Sequence, residues 1–212
     1  VNIVFDSSLA LYLPLHQLDG ASFMSADAYG HACSVAGALW RPKGRYFDGT
    51  DDRISCGDSP ALSPADALTW ECWMRCQQEF SEFVDNSTVC RKEGEYTLDI
   101  EAGSDRLSGF VNAGGGWNCT YINDSEMGAQ VWHHVCYTYD GNAIRIFLNG
   151  ELVRQQSKTG TINATSNELW LGCTGGSGRW WYGFLGEVRL YRRALVLPEI
   201  QHNYMATKWR YR

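Results

Sequence analysis

Three groups of residues in this 212-residue chain carry side chains that could do chemistry: alternating carboxylates, adjacent histidines and clustered aromatic rings. Thr97-Leu98-Asp99-Ile100-Glu101 puts Thr97, Asp99 and Glu101 on one face of a strand, because strand side chains alternate. Glycoside hydrolysis with retention needs two carboxyl groups about 5–5.5 Å apart, one acid and one nucleophile. The polar outer face of an ordinary strand explains the same row. His133-His134 suggests a metal pair, but strand neighbours point to opposite sides, so the two cannot grip one ion. No Ser, His and acid are set out around a nucleophile turn. The expectation is a chain with no catalytic residues and no required cofactor.

Two clusters suit binding, an acidic turn and the aromatic rings. Asp48, Asp51 and Asp52, with Asp27 upstream, offer the hard oxygen ligands that calcium takes, and Asp27, Asp48 and Asp51 are the candidate metal ligands. A solvated acidic turn is the competing explanation. Trp117 follows Gly114-Gly115-Gly116, and Trp180, Trp181 and Tyr182 follow a Gly-rich tip, so these rings are expected at a loop rim. With Asn118, and with Asn112 and Asn123 nearby, they form a candidate ligand surface on which a sugar would stack and hydrogen-bond. The same rings would also serve to plug a sandwich or to meet a second copy of the chain.

Strands must position these groups. Val131 to Val153 holds three β-branched and aromatic runs split by Asp140-Gly141 and Asn149-Gly150, which reads as three antiparallel strands. Leu68-Thr69-Trp70-Glu71-Cys72-Trp73-Met74-Arg75-Cys76 alternates strictly, with Trp73 the exception on its polar face, so Trp73 needs a cover. Further strands are expected at 9–15, 45–47, 53–56, 88–91, 95–101, 106–112, 117–122, 168–173 and 182–191. The stretch 19–38 reads as a polar loop. One terminal helix follows, with Pro198 in its first turn and Ile200 with Tyr204 as an apolar i, i+4 pair. The length suits a single all-β domain over residues 1–212.

Composition excludes several classes. A net charge of −6 gives no field to hold phosphate backbones, so nucleic acid is not an expected partner. No apolar run approaches the roughly 20 residues of a membrane span, so no insertion is expected. Four sequons begin at Asn86, Asn118, Asn123 and Asn163, and eight cysteines are even in number. Together they point to an extracellular or surface location: secreted, cell surface or virion. Opening on Val1 rather than Met fits a processed or excised form. Cys72 and Cys76 lie about 13 Å apart on one strand, too far to bridge, whereas Cys76 with Cys90 is the more plausible disulfide; buried free thiols remain the other reading.

The segments 46–62, 68–74, 89–94, 131–153 and 183–204 resemble, in order and spacing, the laminin-G-like domains of the concanavalin A-like lectin and glucanase superfamily. The resemblance implies an antiparallel two-sheet jelly-roll sandwich with one short C-terminal helix. It further implies glycan or glycoprotein partners, adhesion, and in many members one structural Ca²⁺. Three departures stand out. Gly186 replaces an Asp, removing a potential cation ligand; Val196 replaces a helix-capping Ser; Cys72 and Cys136 replace small residues. Thr97-Leu98-Asp99-Ile100-Glu101 resembles the catalytic row of the superfamily's glycosidases, but with Thr97 where the nucleophile belongs. The resulting expectation is a non-catalytic recognition module; a self-associating subunit of a surface or virion assembly is the alternative.

Overall fold

The computed structural model describes residues 3–212. In chain order the strands are β1 (Leu9–Pro14), β2 (Ser22–Met24), β3 (Ala32–Ala36), β4 (Leu39–Arg41), β5 (Gly44–Asp48), β6 (Arg53–Ser55), β7 (Leu68–Cys76) and β8 (Ser87–Lys92). They continue with β9 (Tyr96–Glu101), β10 (Arg106–Ala113), β11 (Gly116–Asn123), β12 (His133–Tyr139), β13 (Ala143–Leu148), β14 (Glu151–Ser157), β15 (Leu169–Leu171) and β16 (Tyr182–Tyr191). One α-helix, α1 (Leu197–Thr207), follows.

The strands form two antiparallel sheets. The first runs β14-β13-β12-β7-β16-β5-β4, with β1 also on β16; the second runs β11-β10-β9-β8-β15-β6-β3-β2. Alternation sends Trp70, Cys72, Met74, Val135 and Tyr137 from the first sheet against Tyr96, Leu98, Ile100, Leu107 and Val111 from the second, all buried in one core. The central hairpin turns as expected: Asn149 and Gly150 sit at φ 53° and 83°, the left-handed values of a type I′ turn. The expected loop 19–38 instead holds β2 and β3, which pair at the edge of the second sheet. They are three and five residues long, too short to show a period.

The outer face of the first sheet is covered, and that is where charge is buried. Arg189 on β16 pairs with Glu71 on β7 and, at 2.9 Å, with Glu187, and Glu187 in turn pairs with Arg210. Asn203 of α1 donates to Glu71 at 2.9 Å. Burial pushes the Glu71 pKa up, against the pull of Arg189 and Asn203. Burial opposes the charge on Arg189, yet Glu71 and Glu187 hold its pKa above the usual value. Trp73 has the cover it needs: its ring stacks on Tyr211 and Tyr204, and its indole N–H donates to the Thr207 hydroxyl at 2.8 Å. Val196 supplies no capping side chain, but its N–H donates to Glu199, which keeps half of a capping box. Gly186 is explained by packing. A Cβ there would meet Tyr211 at 2.4 Å, so the position is kept small for that ring.

All eight cysteines are free thiols, which corrects the expected Cys76–Cys90 bridge. The two strands are not neighbours: β7 lies between β12 and β16, and β8 lies in the other sheet. Cys72 and Cys136 are fully buried.

His134, on the covered face, generates a pH prediction. Burial and then Arg189 hold its pKa well below the usual value of 6.5, so the folded chain refuses a proton that the unfolded chain accepts. Burial depresses His133 and His16 in the same direction. A histidine with a lowered folded pKa loses stability as pH falls below its unfolded value. Unfolding free energy is expected to drop between pH 6.5 and 5 with a slope of up to about 1.4 kcal/mol per pH unit from His134. Urea titrations at stepped pH measure the slope, and His134→Phe should flatten it.

Candidate functional site

With α1 over the first sheet, the open outer face belongs to the second. Register brings its polar residues together: Thr97 lies opposite Arg91 and Phe110, Asp99 opposite Thr88 and Ser108, and Trp117 opposite Asn112. Alternation turns Thr97, Asp99 and Glu101 outward while Tyr96, Leu98 and Ile100 enter the core. Arg179 and Asn86 close one end. The result is a cavity of about 190 Å³ lined by Arg91, Asp99, Glu101, Phe110, Trp117 and Arg179, together with Asn86 and Thr97.

Asp99 organises the floor. Its Oδ1 accepts from the Thr88 hydroxyl at 2.8 Å, and its Oδ2 faces Arg91 at 3.1 Å and Arg179 at 3.5 Å. The Thr97 hydroxyl lies 2.7 Å from Asp99 Oδ1 and 2.8 Å from the Cys90 carbonyl, and its single proton serves one of them. Burial raises the Asp99 pKa, against the pull of Thr97, Thr88 and the two arginines. Arg91 is gripped by Glu93 as well as Asp99, and its guanidinium lies 5.6 Å over the Trp117 ring. Phe110 meets the same ring edge-on at 6.5 Å. Glu101 accepts from the Ser108 hydroxyl. Both oxygens of Asp99 are thus engaged by internal donors, and a hydroxyl, Thr97, stands in the third position. This is the chemistry of a preorganised binding floor, with fixed donors and acceptors beside a half-exposed indole.

The other sequence-derived site residues are dispersed. Asn118 turns to the opposite side of β11 from Trp117 and donates to the Ser157 carbonyl at 3.1 Å. Trp180 and Tyr182 line a second cavity of about 370 Å³ with Asp48, and this cavity shares Asn86 and Arg179 with the first. Trp181 is a correction. It is fully buried within the core, so it presents no face to a ligand. Strand alternation already operates there, turning Trp180 and Tyr182 out and Trp181 in; the Gly-rich tip hid this in the sequence. Arg91, Arg179, Asn86 and Phe110 were missed. Phe110 stands on the outward phase of β10; the cross-strand register is needed to bring in Arg91, and the packing of loops against β8 to bring in Arg179 and Asn86.

His133 and His134 do not share a ligand. His134 is buried 3.8 Å from Glu71, while His133 faces the Gly128 carbonyl at 3.3 Å. Asp27 also leaves the candidate metal set, which is a second correction. Its carboxylate accepts the N–H groups of Tyr12, Tyr29 and Gly30, tying β1 to the turn before β3. Asp48, Asp51 and Asp52 do converge, with one oxygen from each within 4.8 Å of the others. Asp52 is buried and accepts the Asp48 N–H at 2.9 Å. Burial, with the charges of Asp48 and Asp51, holds its pKa up. These hard oxygens are the residues that would hold a divalent cation.

A family model described as the concanavalin A-like lectin/glucanases superfamily matches residues 48–201. The chain belongs to this family. No curated protein sequence matches it. Among solved structures it resembles the botulinum neurotoxin serotype G binding domain, with a TM-score of 0.76 at 14% identity over 94% of this chain and 51% of that one. The receptor-binding domain of the mosaic serotype C/D gives 0.75 at 12% identity over 94% and 51%. The serotype D binding domain gives 0.68 at 14% over 94% and 51%. The chain spans about half the length of these structures, and at such identity the likeness is one of fold.

The acidic turn generates a test. A carboxyl whose folded pKa lies above its unfolded value destabilises the fold at neutral pH, and the penalty lifts as pH falls through the folded pKa. Asp52→Asn keeps an oxygen to accept the Asp48 N–H and removes one of the crowded charges. With divalent cations chelated at pH 7, its melting temperature should rise by about 2–4 °C. Differential scanning fluorimetry measures it, and no rise would show that the three carboxylates do not strain the turn.

Proposed function

We propose that this chain is a non-catalytic recognition module, placed outside the cell or on a surface, that binds a glycan or glycoprotein in the cavity beside Trp117. One observation carries the reading: Trp117 is 41% exposed at the edge of a cavity whose polar floor is already ordered by Asp99. A sugar offers an apolar ring face to an indole and hydroxyls to fixed donors and acceptors, and this cavity supplies both. The family, which joins lectins with glucanases, supports it, and so do the receptor-binding domains that share the fold. The engaged state of Asp99 and the hydroxyl at Thr97 favour binding over hydrolysis. The sequons support the extracellular part; Asn163 is exposed on the surface. One structural Ca²⁺ held by Asp48, Asp51 and Asp52 belongs to the same proposal, since it would neutralise their crowding.

Calorimetric titration across a broad oligosaccharide panel tests the reading. Binding to at least one class is expected, with Trp117→Ala weakening it about tenfold. Flat heats across the panel would remove it.

A second reading, self-association or assembly on a virion or cell surface, is favoured by one feature. Leu197, Met205 and Trp209 expose 43%, 56% and 66% of their surface along α1 and the tail, with Phe5 at 60% also on the surface. Light scattering decides it. A mass above the monomer that returns to the monomer in Trp209→Ser supports this reading, and a strict monomer at high concentration ends it.

A further inference from the structure

Among the eight free thiols, one pair is set opposite each other across two strands. β3 and β6 run antiparallel with Ser34 opposite Ser55 and Val35 opposite Ile54, and the same register carries Cys33 opposite Cys56. The Val35 N–H turns away to the Ala21 carbonyl, and the Cys56 N–H turns away to Leu169. By alternation, Cys33 and Cys56 form a non-hydrogen-bonded pair. In such a pair the Cα atoms stand about 4.5 Å apart and the side chains lie closest. That falls within the about 4.4–6.8 Å that a disulfide spans. Both residues are only 2% exposed. The neighbouring Cys33 thiol and then burial push the Cys56 thiol well above its usual pKa.

Of the six other thiols, Cys173 lies outside the strands, and the five in paired positions face no second cysteine. Cys72 faces Val135 and Cys136 faces Glu71; Cys90 faces Leu98 and Leu171; Cys119 faces Phe110; Cys76 faces Gly183. Among the described residues, the group of three or more convergent metal-ligating side chains is the acidic turn alone, so Cys33 and Cys56 have no third ligand to hold a metal.

We propose that Cys33 and Cys56 form an oxidation site, closing in an oxidising environment to a cross-strand disulfide that ties β3 to β6. With oxidised glutathione as the oxidant, one cysteine loses its proton and attacks the glutathione disulfide, giving a mixed disulfide and one reduced glutathione. The second cysteine displaces the bound glutathione. The protein gains one S–S bond, and its two thiol hydrogens end on two reduced glutathiones. Burial sets the timing. The bond forms during folding or when the short edge pair β2–β3 opens, before reagent is shut out.

The test refolds the full chain with oxidised glutathione or with reductant, alkylates the remaining thiols and maps the peptides by mass spectrometry. One bond joining the Cys33 and Cys56 peptides is expected, with the other cysteines alkylated. The oxidised protein should melt about 5 °C above the reduced one. Cys33→Ser should show neither the bond nor the rise. If that variant does not fold, the comparison of oxidised with reduced wild type still decides. Alkylation of every cysteine after oxidation, or a bond between a different pair, would overturn the proposal.

Discussion

The buried charge chain Glu71–Arg189–Glu187–Arg210 is the constraint that the rest of the molecule obeys. Charges taken out of water are tolerable only when each is paired and its remaining hydrogen-bonding groups are met. Here the pairing needs two adjacent strands, β7 and β16, in one register, and a lid that supplies Asn203 and Arg210 from the C-terminal segment. The lid also covers Trp73 and His134. Removing either end of the chain would leave a charge stranded in a face built to be dry.

That lid decides where a ligand can go. The first sheet spends its outer face on α1 and the C-terminal tail, while the second carries no α-helix over the outward residues of β8 to β11, of which Trp117 is half-exposed and Thr88, Thr97, Asp99 and Ser108 are buried. Polar side chains on that face meet across strands and order one another before any ligand arrives. Asp99 is the hub, since Thr88, Thr97, Arg91 and Arg179 all converge on it. A floor that is already ordered loses little conformational entropy on binding.

The parts of this plan that obey a local period were legible in the sequence. The alternation of Leu68 to Cys76 gives both the strand and the need to cover Trp73, and Asn149-Gly150 gives the turn with its left-handed backbone. The parts that depend on register were not. Arg91 and Arg179 are separated by 88 positions and meet only because Asp99 lies within reach of both. Trp181 misled because a run of glycines ahead of it resembles a loop, whereas its own phase continues that of Gly183 and Leu185 into the core. Asp27 misled for a different reason: a carboxylate that accepts three backbone N–H groups has the composition of a metal ligand and the role of a turn clamp.

Under the proposed function, the hydroxyl at Thr97 in a row resembling a catalytic one has a physical reason. A carboxylate there would face Asp99 across a single strand repeat, and two like charges in a buried setting cannot both stay ionised at neutral pH. A hydroxyl removes that conflict. The Thr97 hydroxyl donates either to Asp99 Oδ1 or to the Cys90 carbonyl, both of which lie within reach. A nucleophile must instead keep one oxygen unencumbered and aimed at the substrate. In the proposed recognition role, a closed network in place of that freedom would hold a ligand still.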